Sequence, residues 1–222
     1  MSKNVQTGKC VVIGAGDLTV GSINVGEDDL VIAVDGGLNY CSVLEVEPDL
    51  ILGDFDSVGE EQKMALLELQ KQIPDRVIAL KPEKDDTDML AALKLGLEFG
   101  YTSFQIYAAT GGRLEHTIAN IQCLLYLKNR DAVGYIMDGN GMIFVMQNEE
   151  VKLRNTLEGY LSMFSLGKIA SGVTIKGMKY ELDNYTLTND FPIGISNEFI
   201  GEEALIRVVD GEVVCILSYV QD

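Results

Sequence analysis

Basic side chains are scarce in this chain. Its 222 residues carry 17 Lys and Arg against 34 Asp and Glu, a formal charge of −17. Between Cys10 and Gln62 there is no Lys or Arg at all, while twelve Asp or Glu occur. Phosphate backbones and anionic lipids attract Lys and Arg, so this balance excludes a general nucleic-acid or membrane-surface binder. Long apolar runs are missing as well, and the opening MSKNVQTGKC has no apolar signal region. We therefore expect neither a membrane span nor export. The four cysteines, Cys10, Cys41, Cys123 and Cys215, are scattered, form no C-x-x-C pair and have no His-rich segment to partner them. That leaves neither a zinc signature nor a disulfide framework, and predicts a reduced, cytoplasmic compartment. No G-x-x-x-x-G-K-[ST] loop occurs, and Gly14-Ala15-Gly16 has Thr19 where a dinucleotide fingerprint needs glycine. Pro-rich linkers, low-complexity tracts and internal repeats are also absent.

What remains has the composition of a globular protein, 47% hydrophobic and 23% charged, long enough for one large domain or two small ones. In the first half, short apolar runs alternate with helical patterns. Cys10 to Ile13, Leu30 to Val34, Leu50 to Leu52, Val77 to Leu80 and Phe104 to Tyr107 read as strands. Residues 38–46, 59–72, 87–98 and 116–128 read as helices, with Thr87 or Asp86 capping the third and Leu90, Leu93 and Leu97 on one face. The segment near 118 repeats that pattern with Ile118, Ile121 and Leu125. This is an α/β pattern with a largely parallel sheet. After about residue 130 the texture changes to VGYIM, MIFVM, EVKLR, YLSMFSL, GVTIKG, YTLTN, ALIRVV and EVVCILSY. Asp138-Gly139-Asn140-Gly141 and Asp210-Gly211 read as hairpin connections, so the second half is expected to be all-β and mostly antiparallel, with a boundary near 130–138.

The acidic residues fall at particular places. Asp35-Gly36-Gly37 directly follows VIAV, and Asp54-Phe55-Asp56-Ser57 directly follows LILG. In an open parallel sheet the carboxyl ends of strands line the ligand crevice, which puts both motifs on one rim. A third group, Asp85-Asp86-Thr87-Asp88, follows VIAL and opens a helix, where carboxylates also complement the helix dipole. Converging carboxylates repel one another unless a cation neutralises them, and hard oxygen donors without His or Cys point to Mg²⁺. The fourth strand-end motif is Thr110-Gly111-Gly112-Arg113-Leu114-Glu115-His116. Its glycines can present backbone N–H groups to an anion and Arg113 supplies a fixed cation, while His116 serves equally well as a capping or packing residue.

These motifs, in this order, resemble the bacterial type of the thiamine pyrophosphokinase family. The match runs through Asp35-Gly36-Gly37, Pro48-Asp49, Gly53-Asp54-Phe55-Asp56-Ser57, Asp85-Asp86-Thr87-Asp88, Gly111-Gly112-Arg113 and Ser196-Asn197-Glu198. The resemblance implies a three-layer α/β ATP-binding domain over residues 1–132. It also implies a β-sandwich thiamine-binding and dimerisation domain over 133–222, and a homodimer. It implies transfer of pyrophosphate from ATP to thiamine, with Mg²⁺ on Asp54, Asp56 and Asp88 and Arg113 on the phosphates. ATP is expected at Asp35, Gly36, Gly37, Asp85, Asp86, Thr87, Thr110, Gly111, Gly112, Arg113 and Glu115, and thiamine at Ser196 and Asn197. The family usually has Asp where this chain has Glu115, and its eukaryotic members stack thiamine on Trp, which this chain lacks. Tyr180, Tyr185, Phe191 and Phe199 are the candidates for that role. Two rival readings are a metal-dependent phosphohydrolase and a non-catalytic nucleotide or vitamin binder.

Overall fold

A computed structural model of the chain describes residues 6–53, 76–79 and 86–220, together with residues 64, 68, 70, 71 and 73. The chain divides into two units, Met1–Gly139 and Asn140–Asp222.

The first unit is built on six short strands. They are β1 (Cys10–Ile13), β2 (Leu30–Val34), β3 (Leu50–Gly53), β4 (Val77–Ala79), β5 (Ser103–Tyr107) and β6 (Val133–Asp138). In space they run β6-β5-β1-β2-β3-β4, and every neighbouring pair is parallel. All four residues of β1 are fully buried, as a strand covered on both faces must be. The helices are α1 (Gly37–Val43), α2 (Asp88–Glu98) and α3 (Leu114–Lys128); residues 64, 68, 70 and 71 are also helical. On one face Val11 and Ile13 pack with Cys41 and Leu44 around α1. On the other, α2 brings Gly96 onto Cys10 and Phe104, and α3 brings Leu124 and Leu127 over Gly134. The three-layer α/β expectation is thus met.

The helix faces differ from the leucine spacing. The buried stripe of α2 is Met89, Ala92, Leu93 and Gly96, with Leu90 and Leu97 only half-buried. Small side chains at Ala92 and Gly96 let the helix approach the sheet more closely than a leucine face could. In α3, likewise, Asn120, Cys123, Leu124 and Leu127 are buried and Ile118 is exposed. VGYIM, read by texture with the antiparallel strands, runs parallel to β5 as β6. At the amino end of the sheet, Asp49 fixes β3 against β2. Its N–H donates to the Val31 carbonyl at 2.9 Å and its carboxylate accepts the Val31 N–H at 2.8 Å.

The second unit contains β7 (Gly141–Gln147), β8 (Glu150–Leu153), β9 (Tyr160–Ser165) and β10 (Ile169–Lys176). It continues with β11 (Leu182–Thr188), β12 (Asn197–Glu198), β13 (Ala204–Arg207) and β14 (Glu212–Ser218). Two antiparallel arrangements result, β12-β9-β14-β7 and β11-β10-β13-β8. Leu161 and Met163 of the first and Ala170, Val173, Ile175 and Ile206 of the second are buried, the alternation of a sandwich core. Asp210-Gly211 is not a hairpin here, because it joins β13 in one sheet to β14 in the other.

The close approach at Gly96 sets two effects against each other. Alanine would gain about 1 kcal/mol of helix propensity. Its β-carbon, however, would sit 2.6 Å from the buried Phe104 ring and 2.9 Å from the Cys10 sulfur. Overpacking of a tight core costs about 1–3 kcal/mol, so we expect Gly96→Ala to lower the urea midpoint rather than raise it.

Candidate functional site

The strand order reverses between β1 and β5, the place where an open parallel sheet forms a ligand crevice beyond its carboxyl ends. Here the two strand-end loops are stitched together. Gly14 N–H donates to Tyr107 O at 2.9 Å, Gly16 N–H to Ala108 O at 2.7 Å and Asp17 N–H to Thr110 O at 2.8 Å. A β-carbon at Gly16 would run into the Thr110 and Ala108 carbonyls. The Gly14-Ala15-Gly16 sequence therefore serves loop pairing. Tyr40 of α1 adds a hydrogen bond to the Gly16 carbonyl at 2.8 Å.

Beyond this stitch stand Gly111 and Gly112, both with positive φ, and then Arg113 at the start of α3. The Asp17 carboxylate lies against Gly111, where any side chain would collide with it. Arg113 Nε is 2.9 Å from Glu115 Oε1, and both side chains are about 70% exposed, 70% and 69%. A pair this open contributes little stability. The Glu115 carboxyl is held below the ordinary range chiefly by a backbone N–H in the first helical turn, against some desolvation and with help from Arg113. Two further bonds brace the loop. Thr110 Oγ1 donates to Asp138 Oδ2 at 2.9 Å, and the buried Asn120 of α3 donates its Nδ2 to Ala109 O at 2.8 Å.

On the other side of β1, Asp35 ends β2 in a left-handed conformation, φ 49°, with its N–H donating to Leu52 O at 2.9 Å. Its carboxylate lies directly over Gly53, at the point where Asp54 begins. Gly36 caps α1, and Gly37 is pressed so closely on the end of β1 that a side chain would strike the Ile13 carbonyl. Asp54, Asp56 and Asp85 lie outside the described residues. Of their neighbours, Thr87 is the N-cap of α2, accepting the Leu90 N–H at 3.2 Å, and Asp86 pairs with Lys94. Asp88 is the first residue of the helix, and the next residue, Met89, packs against Gly14. The opening of α2 therefore lies beside the end of β1.

The acidic side chains that the sequence puts after these strands offer only carboxylate oxygens, a donor type that suits Mg²⁺. The Asp35 carboxylate lies over Gly53, and Asp88 is the residue before Met89, whose side chain packs on Gly14. Among the described residues no group of three or more His, Cys, Asp or Glu stands close enough to hold a metal, and two of the three expected ligands fall outside them. The four cysteines are buried free thiols. Burial pushes Cys41 and Cys123 up to about 11 and raises Cys10 and Cys215 as well, so none offers a thiolate.

In the second unit, Ser196 sits at φ 55° with its N–H donating to Ser162 Oγ at 3.0 Å. Asn197, the first residue of β12, is buried, and both ends of its amide are bonded to the backbone of Tyr180. Asp17, Tyr40 and Asn120 were not singled out in the sequence, and Asp138 was read only as part of a hairpin connection. A loop acid and a mid-helix Asn carry no motif, and only the fold brings them to the rim.

Residues 24–135 match the family described as "Thiamin pyrophosphokinase, catalytic domain", and residues 147–212 match "Thiamin pyrophosphokinase, vitamin B1 binding domain". Thiamine pyrophosphokinase of Bacillus subtilis (strain 168) is 30% identical over 194 residues, covering 86% of this chain and 88% of that protein. The crystal structure of thiamine pyrophosphokinase from Bacillus subtilis is similar with a TM-score of 0.83 at 28% identity, over 96% of this chain and 100% of that one. Yeast thiamin pyrophosphokinase shares the fold, with a TM-score of 0.70 at 14% identity over 98% of this chain and 88% of that one.

The Asn120 bond is the anchor of this rim to α3. Asn120→Ala leaves the Ala109 carbonyl without that donor, at a cost of about 1–3 kcal/mol. We expect a correspondingly lower melting temperature, read by calorimetry, in a chain that still folds.

Proposed function

The chain belongs to the thiamin pyrophosphokinase family, and from that premise we propose that it transfers pyrophosphate from ATP to the hydroxyl of thiamine, giving thiamine diphosphate and AMP. The observation that carries this reading is the succession of the catalytic and vitamin B1 binding matches in one chain, the first of them containing the acidic and Gly-Gly-Arg strand ends. A phosphohydrolase or a simple nucleotide binder would leave one of the two unused.

In this reading the first unit takes the nucleotide and the second takes the vitamin. ATP contacts Asp35, Gly36, Gly37, Asp85, Asp86, Thr87, Thr110, Gly111, Gly112, Arg113 and Glu115, and thiamine contacts the turn at Ser196 and Asn197. Asp54, Asp56 and Asp88 hold Mg²⁺. When bound there, Mg²⁺ neutralises charge on the polyphosphate oxygens. The thiamine hydroxyl oxygen bonds to the β-phosphorus, the bond from that phosphorus to the bridging oxygen of AMP breaks, and the hydroxyl proton passes to a carboxylate of the rim. The Gly111 and Gly112 region supports an anion with backbone N–H groups, and Arg113 stabilises the charge that develops on the transferred group. Because Glu115 occupies Nε of Arg113, the guanidinium meets phosphate end-on through its two terminal nitrogens.

Four free buried thiols fit a reducing cytoplasm, and among the described residues no helix is long and apolar enough to cross a membrane. We further propose a homodimer through the second unit, where Phe191, Ile193 and Ile195 stand exposed in the segment before β12. Sedimentation velocity at assay concentration reads it, and a monomer would refute it.

The direct test is incubation with ATP, Mg²⁺ and thiamine, followed by chromatography. AMP and thiamine diphosphate should appear together in equal amounts; inorganic phosphate without thiamine diphosphate would refute the reading. Arg113→Lys keeps the charge but loses the planar fork, and we expect kcat to fall by roughly tenfold or more. Full activity in that variant would reduce Arg113 to a point charge.

A further inference from the structure

The crossover from β1 to β2 contains no helix. Residues 14–29 form an irregular strap instead, and Leu18, Val20, Ile23 and Val25 pack it onto the buried cluster that holds Val11 and Ile13. Asp17 and Thr19 alternate with those apolar residues and are exposed. Thr19 Oγ1 accepts the Gly139 N–H at 2.9 Å, which pins the strap a second time. Asp17 is thus fixed from both sides, by its own N–H on the Thr110 carbonyl at 2.8 Å and by the packed Leu18 that follows it.

The Asp17 carboxylate is an unspent acceptor beside the Gly-Gly-Arg turn. Among the described residues it accepts no hydrogen bond and pairs with no cation, although it lies against Gly111. Gly111 stands at φ 78°, and a β-carbon there would run into the Asp17 carboxyl group, so glycine at this position leaves the space in which the carboxylate stands. The neighbouring acids are committed. Asp138 accepts from Thr110 Oγ1 at 2.9 Å, and Glu115 pairs with Arg113. Asp35 ends β2, where dinucleotide-binding folds place the acid that takes a ribose hydroxyl, but here its carboxylate lies over Gly53, on the β3 side.

A carboxylate repels phosphate, so its place against a turn suited to an anion calls for a different part of the ligand. An ionised carboxylate offers two acceptor oxygens and no donor, which matches a pair of adjacent hydroxyls. In a nucleotide that pair lies on the ribose, separated from the phosphates by the sugar ring. On the reading that the chain binds ATP at this rim, we propose that Asp17 takes the 2′ and 3′ hydroxyls of the ribose while the phosphates lie on Gly111, Gly112 and Arg113. Asp17 is then a specificity-determining residue that selects ribonucleotides over nucleotides without the diol.

Calorimetric titration with Mg²⁺ present and thiamine absent reads nucleotide binding without transfer to the vitamin. The wild-type chain should bind ATP roughly tenfold more tightly than 2′,3′-dideoxyATP, the worth of a hydrogen bond to a charged acceptor. Asp17→Ala should bring the ratio of the two dissociation constants close to one. Asp17→Asn, which keeps the shape and a single acceptor oxygen, should leave the ratio in between. Taking the ratio cancels whatever the lost charge or a loosened strap does to both nucleotides alike. A ratio that keeps its wild-type value in Asp17→Ala would overturn the assignment, and so would a wild-type chain that binds both nucleotides equally. A wild-type chain that binds neither would overturn ATP as the substrate, and with it the proposed function.

Discussion

Three backbone hydrogen bonds tie the loop after β1 to the loop after β5, from Gly14, Gly16 and Asp17 to Tyr107, Ala108 and Thr110. They lie at the point where the strand order reverses, and they form only because residues 14 and 16 have no side chain to hold the loops apart. The Gly111-Gly112-Arg113 turn is hung from this stitch, Asn120 braces it from α3, and Met89 fits the start of α2 against Gly14. Separating those loops would release the Gly111-Gly112-Arg113 turn, the first turn of α3 and the packing of Asp88's neighbour together. The site thus depends less on any one charged side chain than on a neutral amide-to-carbonyl seam beneath it.

Some of the backbone strain falls at candidate contacts. Among the described residues, seven other than glycine have positive φ, and Asp35, Ala108 and Ser196 are three of them. Such conformations cost of order 1–3 kcal/mol each and persist only where the surroundings over-determine them. Asp35 is fixed by its bond to Leu52, Ala108 by Gly16 and Ser196 by Ser162. Each of these three sits where a strand or turn gives way to a proposed ligand contact, while Glu45, Asp131, Asn148 and Asn184 lie elsewhere. The stored energy at these three fits pre-organisation of the rim and of the turn at Ser196.

Much of the first unit was legible because its signals are local. Apolar runs bounded by acidic-glycine turns mark strand ends, and Thr87 three residues before Leu90 marks a helix cap. The signals that failed are set by partners distant in sequence. VGYIM has the composition of either sheet type, and only its register with Ser103 to Tyr107 makes it parallel. Asp210-Gly211 has hairpin chemistry, yet its flanking strands enter different sheets. Leucine spacing misplaced the buried faces of α2 and α3 because close packing favoured Ala92 and Gly96, and because a buried Asn120 had a carbonyl to reach. At the candidate rim, the position of Asp35 directly after β2 and of the Gly-Gly-Arg turn directly before α3 could be read from order and spacing. Asn197 was legible as a position, but its bonds to Tyr180 were not.

The distribution of the buried thiols has a separate consequence. Cys10, Cys41 and Cys123 belong to the first unit and Cys215 to the second, and all four are closed to solvent with their thiolate forms suppressed. Alkylating reagents react with thiolate, so each cysteine is silent until the structure around it opens. The chain therefore carries an internal clock for each half, three hands in one and a single hand in the other. The order in which those positions acquire label under mild denaturant records which half breathes first.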